Sequence, residues 1–352
     1  MATTVPANTR PTRNAVLPRS LPKVLLHEHL DGGLRPQTLF ELCNARGITV
    51  PAPDPAALAA WMHHNADSGS LEEYLKGFAL TVAAMASVAA CERVAFEAAE
   101  DARADGCVLA EFRMAPQLLE AHGLAPEAAI EAFLAGLRRS SLASGLIVCG
   151  MKHEPPQRVL DAARLAVRFR DRGVVAFDLA GPEKGFPPSL HRVALDYARG
   201  EGLPITCHAG ESDIGARVLE AADLGATRIG HGIEIMNGRD AAETRRWIAE
   251  AKSRGLHFEV CPSSNVHTGA VDSLAHHPIA RMLEAGLSVS CSTDNRLMSS
   301  VTLSGELQDV HDALGMTVPQ LQQLQLDGAA ASFLPREARE AARAQILEGW
   351  RV

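Results

Sequence analysis

No two cysteines in this chain are close enough to form a metal knuckle or a redox motif. The seven stand far apart, at positions 43, 91, 107, 149, 207, 261 and 291, and no C-x-x-C occurs. An odd number of isolated thiols, most of them inside apolar strand-like runs such as LIVCG and ITCHA, excludes a disulfide framework and fits reduced, buried cytosolic cysteines. There is no Lys/Arg cluster, and acids outnumber bases 42 to 34, for a formal charge of −8. That balance argues against polymeric nucleic acid as a partner. The first twenty residues carry three Arg and no acid, but no apolar stretch of signal-peptide length and no amphipathic period. They read as a mobile leader, and the expected location is the cytoplasm. H-E-x-x-H is missing, which excludes the common metalloprotease helix. His257-Phe258-Glu259 supplies H-x-E but lacks the P-C-x-x-C that cytidine-type zinc deaminases need. No G-x-G-x-x-G follows the first strand, which disfavours a doubly wound nucleotide fold.

What is present is a soluble globular composition: 352 residues, 47% apolar and 22% charged, with a mean hydropathy of −0.01. Disorder, collagen, coiled coil and membrane-spanning classes are excluded. Eight short β-rich runs are expected at 23–29, 107–112, 146–151, 174–179, 204–208, 227–231, 256–261 and 287–292. Helical stretches alternate with them at 91–104, 126–143, 157–171, 189–201, 213–224, 240–254 and 276–285. Eight βα units without a Ser/Gly linker predict one (β/α)8 TIM barrel, an α/β fold, over residues 21–352. The long interval after the first strand predicts extra helices near 36–46, 54–66 and 70–86 over the barrel mouth, and residues 302–348 predict further helices that close the barrel.

In such a barrel, functional groups collect at the C-terminal ends of strands. The first run ends in His27-Glu28-His29, the fifth in His208-Ala209-Gly210-Glu211, the sixth in His231, and the eighth is followed by Asp294-Asn295. Side chains at i and i+2 of a strand point the same way, so His27 and His29 can share one metal. Taken singly, His208 also fits a hydrogen-bonded core histidine and Asp294 a helix cap. Taken together, the four form an N/O set suited to Zn²⁺ or another divalent transition metal. Glu211, three residues beyond His208, is either a proton donor with a pKa raised by desolvation or a helix-start acid favoured by the macrodipole. His231, between two glycines, is free to hold or deprotonate a water, or simply fills a tight turn.

The segments LLHEHLDGGLRP (25–36), GSLEEYLKGF (69–78), VVAFDLAGPEKG (174–185), CHAGE (207–211), RIGHG (228–232), CPSSNVHTGA (261–270) and SCSTDN (290–295) together resemble the adenosine deaminase family, a branch of the metal-dependent amidohydrolases. The resemblance implies one Zn²⁺ per chain held by His27, His29, His208 and Asp294. It also implies that Glu211 protonates the purine ring nitrogen N1 and that His231 positions the attacking hydroxide. Asp31 matches an aspartate that binds the ribose 5′-hydroxyl, Gly181 a glycine whose N–H meets N3, and Leu71, Leu75 and Phe78 a hydrophobic gate. On spacing alone those three also fit ordinary helix packing. The family's second aspartate and its proline are replaced here by Asn295 and Arg296; an Asn amide donates to N7 without having to be protonated. The implied substrate is adenosine or 2′-deoxyadenosine, with a modified adenine nucleoside such as aminodeoxyfutalosine, or free adenine, as the alternative. A phosphotriesterase-like hydrolase shares the first H-x-H but usually needs a bridging lysine, and none stands near the end of the fourth run.

Overall fold

The apolar runs form eight parallel strands: β1 Lys23–His29, β2 Cys107–Met114, β3 Ala143–Met151, β4 Val174–Ala180, β5 Ile205–Ala209, β6 Arg228–His231, β7 His257–Val260 and β8 Ser288–Cys291. Each pairs with the next in chain order. The ring closes between β8 and β1 through a parallel bridge at Glu28 and Asp294, where Asp294 N–H donates to His27 O and His29 N–H to Asp294 O, at 2.9 and 2.8 Å. The computed structural model describes residues 16–69, 74 and 77–351. Among them, no single helix is long and apolar enough to cross a membrane.

Helix ends follow local chemistry. Ser87 accepts Ala90 N–H and so starts the helix Val88–Ala104 three residues earlier than its periodicity suggests. The helix expected over 126–143 stops at Arg139, because Ser140 turns extended and Ala143 is already paired with Leu109 in the sheet. Of the 70–86 segment, Phe78–Met85 is helical. Residues 16–20, placed in a leader by the sequence, lie against the barrel: Leu17 N–H donates to Gln308 at 2.8 Å and Arg19 pairs with Asp105 at 2.8 Å. At the chain's end, Val318–Ala331 is set by a Thr317/Gln320 capping box, packs on β8 and β1, and supplies Gln325 as acceptor for Val24 N–H.

The barrel interior is ionic. Arg113 pairs with Asp178 at 3.0 Å and Glu259 at 2.5 Å; Arg228 pairs with Glu259 at 2.5 Å and Glu111 at 2.6 Å, and all five are buried. Glu111 also accepts from Ser332 and Phe333 N–H, which ties the C-terminal helices to this layer. Burying so many charges is tolerable only because each finds a partner.

Candidate active site

Four groups from the ends of β1 and β5 and from the loop after β8 converge. His29 Nε2 lies 3.2 Å from His208 Nε2, and Asp294 Oδ1 lies 3.4 Å from His27 Nε2 and 3.5 Å from His29 Nε2. Ligand atoms of all four lie within 4.8 Å of one another. Carboxylates only accept hydrogen bonds, so contacts on the far ring nitrogens set the tautomers. His27 Nδ1 donates to Glu259 at 2.8 Å and His208 Nδ1 to Asp178 at 3.2 Å, which leaves both Nε2 lone pairs aimed inward. His27 Nε2 is buried without a partner. Burial, with Arg113 nearby, pushes the His27 pKa down to about 4, so the ring is a neutral donor of its lone pair. Ser264 donates to Asp294 Oδ2 at 2.6 Å, leaving Oδ1 for the cluster. The Nε2 lone pairs of His27 and His208, turned toward His29 Nε2 and Asp294 Oδ1, fit a cation, and an imidazole and carboxylate set suits zinc. A second convergence, His27 with His231 and Cys261, shares His27, and burial pushes the Cys261 thiol well up, against thiolate ligation.

Backbone strain marks the same place. His231 and Asp294, neither of them glycine, sit in the left-handed region at φ 60 and 58. Such residues cost of order 1–3 kcal/mol each and persist only where surrounding contacts over-determine them. For Asp294 those contacts include the two seam hydrogen bonds and the pair of buried Glu28 with the partly buried Arg296. Arg296 also reaches Gly33 O and Asp101, and Thr293 donates to Glu28 at 2.8 Å. Arg296 therefore neutralises the glutamate between the two first-strand histidines.

These residues face a cavity of about 360 Å³, lined by His29, Asp31, Gly181, Glu211, His231 and Asn295 among others. That volume is in the range of small-molecule sites. Glu211 Oε2 lies 3.6 Å from His231 Nε2, and burial raises the Glu211 pKa, as a proton donor requires. Burial lifts Asp31 to about 7, and its Oδ1 has no partner. Gly181, at φ 93, occupies a conformation that L side chains rarely adopt. Gly32 makes room for Asn295, whose Oδ1 would lie 1.8 Å from a Cβ there. Phe78 lines the cavity with Tyr74, Ala79 and Val82; Leu71 and Leu75 lie outside the described residues.

Several working residues carried no sequence signal. Glu259, dismissed with its H-x-E, orients His27, and Asp178 orients His208. Glu183 accepts three successive N–H groups, from Glu211, Ser212 and Asp213, at 3.0–3.1 Å, and so pins the turn that carries Glu211. The six-residue helix Pro262–His267 brings Ser264 and Asn265 into the site and is too short to show a period. Lys152, just beyond β3, is buried beside the mouth, but its Nζ donates to His208 O and lies 3.7 Å from Glu183. It is thus engaged away from the converging lone pairs.

The adenosine deaminase family profile matches residues 22–348. An adenosine deaminase from Mycobacteroides abscessus is 42% identical over 334 residues, covering 90% of this chain and 92% of its own length. Among solved structures, an adenine deaminase from Arthrobacter aurescens aligns with a TM-score of 0.86 at 26% identity, over 94% of this chain and all of its own. An N6-mAMP deaminase from Arabidopsis aligns with a TM-score of 0.82 at 27% identity, over 94% and 98% of the two chains. With the profile running through all eight strands of the barrel and the site assembled at its rim, this chain belongs to the adenosine deaminase family.

Proposed function

We propose that this protein is a hydrolase of a single domain, residues 21–352, that removes the 6-amino group of adenosine and 2′-deoxyadenosine, giving the corresponding inosine and ammonia. The observation that carries the reading is the convergence of three imidazole Nε2 atoms and Asp294 Oδ1 on the cavity that also holds Glu211 and His231. His27, His29, His208 and Asp294 are assigned as ligands of one Zn²⁺ per chain. Bound there, the ion supplies Lewis acidity that makes water nucleophilic near neutral pH. Glu211 keeps its proton in the desolvated cavity and delivers it to N1 as C6 becomes tetrahedral, which relieves the ring of the charge it would otherwise accumulate. His231 orients the attacking oxygen. Asn295 donates to N7, the Gly181 N–H meets N3, and Asp31 takes the 5′-hydroxyl, which favours a nucleoside over a free base. Phe78 forms part of the apolar gate. The partner is a small purine nucleoside, and the cytoplasm is the proposed compartment.

The test is direct. Zinc-loaded protein is incubated separately with adenosine, adenine and aminodeoxyfutalosine, and the ultraviolet change from aminopurine to oxopurine is followed for each. Turnover of adenosine well above the other two supports the reading; turnover confined to either of the others reassigns the substrate.

A further inference from the structure

The short helix Pro262–His267 and the loop after it carry a hydrogen-bond chain whose direction follows from one backbone group. Ile279 N–H can only donate, and it donates to His277 Nδ1 at 3.2 Å. A neutral imidazole has one proton, so His277 carries its own on Nε2. Burial pushes the His277 pKa down to about 3, consistent with a neutral ring. His277 Nε2 faces the Asn265 side chain at 3.2 Å, so the atom there is the amide oxygen; the reverse orientation would set N–H against N–H. The Asn265 amide nitrogen then points the other way, 3.0 Å from His231 Nδ1 and 3.3 Å from Glu211 Oε1. Thr268 Oγ1 donates to the same Glu211 oxygen at 3.1 Å.

We infer that Asn265, held in orientation by His277, is a positioning residue that decides where the two catalytic groups carry their protons: Nε2 on His231 and Oε2 on Glu211. His231 Nδ1 accepts from Asn265, so in the neutral ring the proton lies on Nε2, toward the cavity. Glu211 Oε1 accepts from Asn265 and Thr268, so the proton of its acid form lies on Oε2, the oxygen beside His231. Neutral His231 therefore acts toward the site as a hydrogen-bond donor and not as a base. This deepens the proposed deamination and rests on that assignment of Glu211 and His231.

The test is ring ¹⁵N NMR of histidine-labelled protein, metal-free and zinc-loaded, with the His231 signals assigned by their loss in His231→Gln. The expected wild-type pattern is a pyrrole-type Nε2 and a pyridine-type Nδ1; the opposite pattern overturns the inference, whatever the activity. Asn265→Asp replaces the donor with an acceptor, so the His231 proton is expected to move to Nδ1, with kcat lower by about 10–100-fold and zinc retained. An unchanged His231 pattern in folded Asn265→Asp overturns it as well. If that variant fails to fold, the wild-type spectrum still decides. Failure of adenosine turnover beside the expected wild-type pattern sinks the substrate reading and leaves the proton placement standing.

Discussion

The barrel buries polar groups in two places, and the two are built on opposite terms. In the interior layer every charge faces an opposite one, although Arg113 Nε itself has no partner: Arg113 and Arg228 lie among Asp178, Glu259 and Glu111, and Thr206 donates to Glu259 at 3.0 Å. Even the buried His257 has both ring nitrogens against hydroxyls, Ser288 and Ser290, at 2.8 and 2.9 Å. At the rim, one layer further along the same strands, atoms are left open: His27 Nε2, Asp31 Oδ1 and Asn295 Oδ1 have no partner. An unsatisfied buried polar atom costs stability, so a cluster of them marks a place prepared for something that binds. Glu259 and Asp178 belong to both regions, holding arginines below and imidazoles above. The paired layer is in this sense the orienting shell of the open one.

The comparison breaks most completely at Asp294. Asp294→Ala is expected to lose bound zinc and turnover together; zinc analysis showing full occupancy would remove Asp294 from the ligand set. Glu211→Gln should keep zinc and lose about 10²–10⁴-fold in kcat, and an enzyme as fast as wild type would end the acid role. In the paired layer the loss should appear in stability instead. Arg113→Met strands Glu259 and Asp178, and chemical denaturation is expected to show about 3–5 kcal/mol of destabilisation; a change within experimental error would mean that the layer does not depend on this pairing. At the seam between the two regions, Arg296→Met alone should cost about 3 kcal/mol, with part of it recovered in the double variant Glu28→Gln/Arg296→Met. Strict additivity in that cycle would show that the pair is uncoupled.

The smallest effect sharpens the comparison through pH. Glu306, buried on the helix Leu303–Leu314, accepts Ser263 N–H at 3.3 Å and has its other oxygen unpartnered. Burial raises its pKa from 4.5 to about 8. The folded protein thus holds this proton more tightly than the unfolded chain does, and the stabilisation it brings is complete below the unfolded value and lost as pH rises toward the folded one. Glu306→Gln should therefore gain on wild type in denaturation midpoint as pH is raised from about 5 to about 8; a gap that does not change with pH would show that Glu306 does not titrate there.

Much of the architecture was readable along the chain. The eight apolar runs and their strand-end histidines are local signals, and each strand lies within a few residues of its expected bounds. Boundaries slipped where a cap or a pairing partner overrode periodicity, as at Ser87 and Ala143. The ligand types were legible because His27 and His29 alternate on one strand and the other groups end apolar runs. Their orienting partners were not. Glu259, Asp178, Glu183 and Asn265 are ordinary polar residues whose roles exist only because neighbouring strands and a short loop helix bring them within hydrogen-bond distance.

Residue order alone therefore settled which chemistry could collect at the rim, since strand periodicity is a short-range property of the backbone. Which nitrogen of each histidine faces the cavity, which oxygen of Glu211 is free, and what Arg296 pairs with were decided by register and closure. Those bring together groups from opposite ends of the chain, and no local pattern encodes a hydrogen bond between residues that meet only when the barrel is complete.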